Sequence, residues 1–161
     1  MSDRIPMTRT GYEKLKAEVN QLEHVEKNKI LEGLAKARAE GDLSENAEYH
    51  GAKESLAFLQ ARINAMRDKL SRAVLVDPSQ TPRDTVGFGS TVRVKDLDLK
   101  EEEEFTLVGA GEEDYAAGKI LVTSPLAQGL IGRKVGQITE IQVPLGTMKF
   151  EILEIRLEGG W

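Results

Sequence analysis

Apolar residues in the first half of the chain recur with the spacing of a coiled coil. Over residues 52–73 they are separated alternately by four and by three positions, which is the a/d repeat of a helical seam. The same pattern begins upstream over residues 15–22 and resumes over residues 30–37, with Glu26 in the inward site between them, a shift of the stutter kind. The predicted seam positions are Leu15, Val19, Leu22, Ile30, Leu34, Ala37, Ala52, Leu56, Leu59, Ile63, Met66, Leu70 and Ala73.

A glycine separates the two periodic runs and marks a reversal of the chain. Gly41 interrupts the helical spacing, and Asp-Leu-Ser-Glu at residues 42–45 follows as a favourable helix start. We therefore predict an antiparallel helical hairpin whose arms have about 28 residues each and rise about 42 Å. Because an a/d seam covers only a narrow stripe and the other faces are charged, the hairpin is expected to project into solvent.

The second half of the chain has the alternating pattern of β-strands. Apolar and polar residues alternate over residues 90–95, 104–108, 137–143 and 149–157, and each segment is bounded by Gly, Pro or Asp. These segments predict a mostly antiparallel sheet. The acidic run at residues 101–104 is expected in a solvated loop or an edge strand.

One short helix is predicted within the second half. Ser124 and Pro125 supply a cap and a first-turn proline, and Gly132 limits the helix to one or two turns. No proline occurs between Pro6 and Pro78, so the chain changes character near residue 78. We predict the α+β class, with a coiled-coil hairpin domain over residues 1–77 and a sheet domain over residues 78–161.

Length and composition narrow the classes of protein. The 161 residues allow one ordinary domain or two small ones, and 40% hydrophobic with 30% charged residues describe a soluble chain that can bury a core. The chain has no cysteine and two histidines, which excludes disulfides, thiolate zinc sites and cysteine nucleophiles. No apolar run approaches a membrane span, and the start lacks the character of a signal peptide, so we expect a cytoplasmic protein.

The net charge of -5 comes entirely from the second half of the chain. Residues 1–77 carry 13 basic and 13 acidic side chains, whereas residues 78–161 carry 9 basic and 14 acidic ones. This balance argues against a sequence-specific reader of DNA, because phosphate neutralisation calls for a basic surface.

The residues that could carry chemistry are concentrated around the reversal. Asp42 and Glu45 are three positions apart at a helix start, so their β-carbons would lie about 5–6 Å apart on one face. Two carboxylates at this spacing can share Mg²⁺, which is commonly held by one or two protein carboxylates together with substrate phosphate oxygens. The same Asp-x-x-Glu spacing is a capping box, which explains both residues without a metal. The sequence leaves both interpretations open, and they can coexist.

Four neighbours of these carboxylates also allow a structural and a functional interpretation. Tyr49 is more typical of a packing residue or hydrogen-bond partner than of a reactive group. His50, with no second imidazole nearby, is typical of a surface histidine. Arg38 and Lys53 are either solvated charges or a pair that steers a phosphate towards the tip, and composition favours the solvated charges.

The tip and three shorter segments resemble one known family. Residues 37–50 read Ala-Arg-Ala-Glu-Gly-Asp-Leu-Ser-Glu-Asn-Ala-Glu-Tyr-His and closely resemble the coiled-coil tip of the bacterial Gre transcript cleavage factors. The resemblance extends to residues 5–8, 70–73 and 124–132, and so spans essentially the whole chain. The zero net charge of residues 1–77 favours the branch of this family that lacks a large basic face on the hairpin.

This resemblance implies an accessory factor rather than an autonomous enzyme. Its C-terminal domain, of FKBP-like fold, would dock at the rim of the secondary channel of bacterial RNA polymerase, while the hairpin reaches the 3′ end of backtracked RNA. Asp42 and Glu45 would help to hold a second Mg²⁺, shared with the polymerase active site, and so stimulate cleavage of that RNA. We expect a monomer with no membrane partner and no tightly bound cofactor of its own.

The resemblance also implies roles for other residues. Ser44, Asn46 and Tyr49 would support the tip. Arg38 and Lys53 would place positive charge near the RNA. The residues that would dock on the polymerase are Ser124, Pro125, Leu126, Leu130 and Ile131. Gln128 occupies a position where relatives often carry a basic residue, so we assign no docking contact to it.

Three other functions stay open at this point. A Gre-like factor could occupy the secondary channel without promoting cleavage, although the intact tip at residues 42–46 argues against such an inhibitor. An autonomous metallonuclease is disfavoured, because a third and fourth clustered ligand are lacking in the sequence. A prolyl isomerase is not indicated by an FKBP-like fold alone.

Overall fold

The computed structural model describes residues 4–41 and 46–157. It contains two compact units, one formed by Glu13–Arg72 and the other by Met1–Tyr12 together with Ala73–Trp161. The domain division predicted at residue 78 stays a prediction. None of the helices that the structure describes combines the length and the hydrophobicity that a bilayer span requires.

The hairpin has two helical arms. The first arm consists of α1 (Arg9–Gln21), a π-helical turn (Leu22–Glu26) and α2 (Lys27–Ala39), and the second arm is α3 (Ala47–Ser71). Among the described residues of Glu13–Arg72, the buried apolar side chains all occupy predicted seam positions, which confirms the helical hairpin. They are Leu15, Val19, Leu22, Ala37, Ile63 and Met66.

The π-helical turn lies where the sequence pattern shifts. Lys27 donates its backbone N–H to the carbonyl of Leu22, five residues earlier, and the side-chain amide of Asn28 donates to the carbonyl of His24 at 2.7 Å. Because a π turn contains one residue more than an α-helical turn, it absorbs the shift at Glu26. The apolar positions before and after the turn therefore stay on one side of the arm.

The second arm ends before the last predicted seam position. Helix α3 stops at Ser71, and Ala73 begins β2 (Ala73–Leu75), so the assignment of Ala73 to the seam is wrong. β2 pairs in parallel with β1 (Ile5–Met7). The sequence analysis missed this pair because three-residue strands contain too little alternation to be recognised.

The unit that contains residues 73–157 is built on a five-stranded sheet. Its spatial order is β5-β4-β3-β7-β6, and neighbouring strands are antiparallel except for β4 and β5. The strands are β3 (Ser90–Asp96), β4 (Glu101–Val108), β5 (Lys119–Leu121), β6 (Ile138–Val143) and β7 (Gly146–Leu157). Helix α4 (Pro125–Leu130) is the short helix predicted within the second half of the chain, and together with the sheet it confirms the α+β class.

The core of this unit lies between the sheet and α4. Phe150 is fully buried on β7, and Ala127 and Leu130 of α4 are buried in the same cluster. Thr139 of β6 donates a hydrogen bond from its hydroxyl to the carbonyl of Gly129 at 2.9 Å, which fixes α4 to the sheet. Packing on β-strands therefore holds α4 and the segment that precedes it in place.

The acidic run occupies the first half of β4. Residues Glu101–Glu104 pair with β3 on one side, while β5 pairs with Thr106–Val108 at the other end of the strand. The run thus forms an edge segment of the sheet, as expected from its charge. Glu102 and Glu104 form ion pairs with Arg93 and Arg156, respectively.

Candidate functional site

The chain reversal at the tip of the hairpin begins with a glycine in a left-handed conformation. Helix α2 ends at Ala39, and Gly41 has a φ of +122°, a value that L side chains rarely adopt. The predicted carboxylates Asp42 and Glu45, together with Ser44, lie outside the described residues. The structure describes the residues on either side of this segment, which are Gly41 and Asn46.

Helix α3 begins later than the sequence pattern predicts. Its first residue is Ala47, and its N-cap is Asn46, whereas the predicted helix start was Asp42. Both positions carry good capping residues, which explains the difference. Since Asn46 provides the cap, the described start of α3 does not require Asp42 as its N-cap.

The side chain of Asn46 contacts both arms of the hairpin. Its Oδ1 accepts a hydrogen bond from the backbone N–H of Tyr49 at 3.0 Å, the usual contact of an N-cap. Its Nδ2 donates to the carbonyl oxygen of Ala37 at 2.8 Å, in the last turn of α2. The Asn46 carbonyl accepts from the backbone N–H of His50 at 3.1 Å. One residue thus caps the second arm and is bonded to the end of the first.

Tyr49 brings two cations together on one side of the tip. The guanidinium carbon of Arg38 lies 5.9 Å from the centre of the Tyr49 ring, and the Lys53 ammonium nitrogen lies 5.4 Å from it. Both distances are within the range of cation–π attraction. The His50 ring meets the Tyr49 ring edge-on, with the centroids 5.6 Å apart. The structure therefore places the predicted residues Arg38, Tyr49 and Lys53 in one cluster.

A groove of about 350 Å³ extends from this cluster along the two arms. Among the residues that the structure describes, its lining includes three cationic side chains and no acidic one, so this lining favours anionic groups. The Lys27 ammonium, at the far end, donates to Gln60 Oε1 at 3.0 Å. The lining residues are Lys27, Leu34, Arg38, Tyr49, Lys53, Leu56, Ala57 and Gln60.

Sequence reasoning missed two features of this region. It did not identify Lys27 and Gln60 as part of the groove, because they are ordinary polar residues in a helical pattern. It also missed the Ala37 carbonyl as a partner of Asn46, since no side-chain pattern identifies a particular backbone acceptor. A signal for the later helix start was present, because Asn-Ala-Glu at residues 46–48 is itself a favourable cap sequence.

The predicted docking segment is organised around the start of α4. Ser124 accepts a hydrogen bond on its Oγ from the Ala127 N–H at 3.2 Å, and Pro125 is exposed in the first turn. Leu126 and Ile131 are partly buried, whereas Leu130 is fully buried and supports the segment from the core. The Leu130 side chain is therefore not available for contact with a partner.

Gln128, on the exposed side of α4, donates its amide to the carbonyl of Val122 at 2.8 Å. This bond ties the helix to the segment that precedes it.

Two family models together match almost the whole chain. The model described as "Transcription elongation factor, N-terminal" matches residues 5–75, and the model described as "Transcription elongation factor, GreA/GreB, C-term" matches residues 80–157. The chain belongs to the GreA/GreB family of transcription elongation factors. This finding confirms the family resemblance of the tip sequence.

Relatives named GreA match the chain along almost its full length. Transcription elongation factor GreA of Thermodesulfovibrio yellowstonii is 49% identical over 158 residues, which are 98% of this chain and 100% of the relative. The GreA of a Nitratiruptor species is 45% identical over 155 residues, 96% of this chain and 94% of the relative. Among solved structures, GreA factor homolog 1 of Thermus thermophilus is 25% identical over 95% of this chain and 99% of that chain, with a TM-score of 0.44.

Proposed function

We propose that this protein binds bacterial RNA polymerase, inserts the tip of its hairpin into the secondary channel, and stimulates Mg²⁺-dependent cleavage of the 3′ end of backtracked RNA. The observation that carries this proposal is the match of almost the whole chain to the GreA/GreB family, with the Asp42–Glu45 sequence between two long helical arms. In this role the protein is an accessory factor, and the polymerase performs the cleavage.

The two helical arms make the hairpin long enough to extend into a channel. Helix α3 has 25 residues, which corresponds to about 37 Å at 1.5 Å per residue. Two helices packed along a seam form a slender element, and the buried apolar side chains of its described part lie at that seam. Such an element can carry side chains through a channel that excludes a globular domain.

Asp42 and Glu45 are the proposed Mg²⁺ ligands. Their carboxylates are the hard oxygen donors that Mg²⁺ prefers, and two of them leave coordination positions for phosphate oxygens and polymerase carboxylates. Within residues 4–41 and 46–157 no group of three or more His, Asp or Glu side chains could hold a metal ion. A pair of carboxylates that leaves other coordination positions open fits an ion shared with a partner. When bound, such an ion helps to orient the attacking water and to stabilise the leaving oxygen.

Arg38 and Lys53 are proposed to approach the RNA. Both cations lie against Tyr49 and line a groove whose described lining residues include no acidic one, so this side of the tip attracts phosphate groups. Tyr49 limits the freedom of both side chains through its ring. We assign Tyr49 to support of this charge rather than to proton transfer.

The start of α4 is proposed as part of the docking surface on the polymerase. The exposed Pro125 and the partly buried Ser124, Leu126 and Ile131 form a segment held rigidly by the core. We propose that the protein acts as a cytoplasmic monomer with no tightly bound cofactor of its own.

A transcript-cleavage assay tests the proposed function. Polymerase complexes backtracked on a template and carrying 5′-labelled RNA are mixed with the protein and Mg²⁺, and the RNA length is followed over time. We expect rapid shortening of the RNA from its 3′ end, and no shortening when the protein and RNA are mixed without polymerase. Blocked elongation without shortening would show a channel inhibitor instead, and RNA cut in the absence of polymerase would show a nuclease.

A further inference from the structure

Asn46 makes a second hydrogen bond that helix capping does not require. The cap uses Oδ1, which accepts from the Tyr49 N–H at 3.0 Å. The remaining polar atom, Nδ2, lies 2.8 Å from the carbonyl oxygen of Ala37, nine residues earlier and on the other arm. Ala37 is buried, with 1% of its surface exposed, and its carbonyl also accepts from the Glu40 N–H at 3.2 Å. The bond thus joins the first turn of α3 to an ordered turn of α2.

The identity of the residue at this position is explained by the second bond. Ser, Asp and Asn cap helices about equally well, so capping alone does not select asparagine. Aspartate would place a carboxylate oxygen against the Ala37 carbonyl oxygen, where no proton is available for a bond. Serine has one hydroxyl on a shorter side chain, which cannot serve both partners. Asparagine combines an acceptor for Tyr49 with a donor for Ala37.

We infer that Asn46 is a positioning residue for the cleavage reaction, and that its bond to Ala37, here called the tip clamp, fixes the two ends of the segment that carries Asp42 and Glu45. This inference rests on the proposed function. Metal ligands need supports that restrict their movement, and the loss of such a support weakens metal binding. The tip clamp therefore lowers the Mg²⁺ concentration at which the factor works.

The test separates the tip clamp from the cap. Asn46→Ser keeps a good cap and removes the donor to Ala37, whereas Asn46→Ala removes both. Asn28→Ser is the matched control, because Asn28 also donates from its side-chain amide to a helix carbonyl, that of His24 at 2.7 Å, but within one arm. Each variant is compared with the wild-type protein in cleavage at increasing Mg²⁺, in polymerase binding and in thermal melting.

For Asn46→Ser we expect wild-type polymerase binding and melting. The Mg²⁺ concentration for half-maximal cleavage should rise roughly tenfold, as for other lost supports of metal ligands, with the rate recovering at high Mg²⁺. Asn46→Ala should show the same Mg²⁺ shift together with lower melting. Asn28→Ser should leave the Mg²⁺ dependence unchanged.

Amide hydrogen exchange of the free protein provides a readout that does not depend on cleavage. In Asn46→Ser the amides of Glu40 and Gly41 should exchange faster, because they bond to the carbonyls of Ala37 and Arg38 at the end of α2. The Tyr49 amide should stay protected by the serine cap.

Three outcomes would overturn the inference. The first is a wild-type Mg²⁺ dependence for Asn46→Ser, and the second is an equal Mg²⁺ shift for Asn28→Ser. In the third, Asn46→Ser leaves the exchange of Glu40 and Gly41 unchanged. If the wild-type protein itself stimulates no cleavage, the proposed function fails and the inference fails with it, so the wild-type assay distinguishes the two failures.

Discussion

The ammonium nitrogen of Lys53 lies 5.4 Å from the centre of the Tyr49 ring, one turn earlier on the same helix. Arg38 approaches the same ring from α2, with its guanidinium carbon 5.9 Å from the centre. One aromatic ring therefore holds cations from both arms of the hairpin. This arrangement concentrates positive charge on one side of the described part of the tip.

Removal of the Tyr49 ring should weaken the action of these cations. Cation–π contacts at exposed sites contribute about 0.5–1 kcal/mol each, so Tyr49→Leu should raise the factor concentration for half-maximal cleavage by about two- to fivefold per cation. Tyr49→Phe keeps the aromatic face and is the matched control, with an effect well below that of Tyr49→Leu. Titration of each variant against backtracked complexes measures the difference, and equal defects in the two variants would contradict the role of the ring.

Among the seam positions of the hairpin, truncation of Ile63 should lower the stability of the protein most. This side chain has no exposed surface, so Ile63→Ala should lower the free energy of unfolding by about 2–5 kcal/mol. Leu59 is only partly buried, so Leu59→Ala should lower the free energy of unfolding by a smaller amount. Phe58, on the same helix but 82% exposed, is the control, since Phe58→Ala should change stability by less than about 0.5 kcal/mol. Urea denaturation of the three variants gives the order, and a Phe58 effect as large as that of Ile63 would contradict the seam.

A methyl group at Gly129 should disturb the docking segment from within. A β-carbon there would lie 2.5 Å from Cγ1 of Ile141, which is buried on β6. Overpacking of this kind typically lowers stability by about 1–3 kcal/mol. Gly129→Ala should therefore reduce both thermal stability and polymerase binding.

Gly33 provides the control for this substitution. A β-carbon at Gly33, in α2, meets no atom within 4 Å, so Gly33→Ala should stabilise the helix by about 0.5–1 kcal/mol. Differential scanning calorimetry should show melting temperatures that move in opposite directions. A shift in the same direction for both variants would contradict the packing of α4 on β6.

A low pH should remove one electrostatic contribution to the stability of the sheet. The hydrogen bond from Arg156, with a further one from Arg93, holds the pKa of the Glu154 carboxyl below its ordinary value. A lowered pKa in the folded state stabilises the protein above the pKa of the unfolded chain, and this contribution is lost as the pH falls through the folded value. Because Glu154 is solvent-accessible, the contribution is small.

The variant Glu154→Gln tests the direction in which this contribution changes with pH. In urea denaturation the variant should be less stable than the wild-type protein at pH 7, and the difference should shrink as the pH falls below the ordinary carboxyl range and through the lowered pKa of Glu154. A difference that grows towards low pH would contradict the assigned cause.

The hairpin and the main strands could be predicted from sequence because each follows a repeating pattern. The a/d positions of α3, such as Ile63 and Met66, recur over many turns, and alternation reveals β3, β6 and β7. Pairing between distant short segments has no such local signal, so β1, β2 and β5 were missed. The Asn46 contact to Ala37 depends on the meeting of two arms, and two neighbouring cap sequences made the start of α3 ambiguous.

The candidate site, like the fold, could be predicted from the sequence only in part. Arg38, Tyr49 and Lys53 could be predicted individually, because they surround the reversal in the sequence. Their common ring contact and the groove that reaches Lys27 depend on the packing of α2 against α3. A local pattern identifies which residues lie near the tip but not which side of it they share.

The most direct test of the central claim is transcript cleavage by a protein carrying both Asp42→Asn and Glu45→Gln. The amides keep the size of the original side chains, and Asn46 supplies the cap of α3, so the free energy of unfolding should change by less than about 0.5 kcal/mol. Polymerase binding should also be retained, while stimulation of RNA cleavage is lost. Cleavage at the wild-type rate by this variant would contradict the claim that the two carboxylates complete the magnesium site of the polymerase.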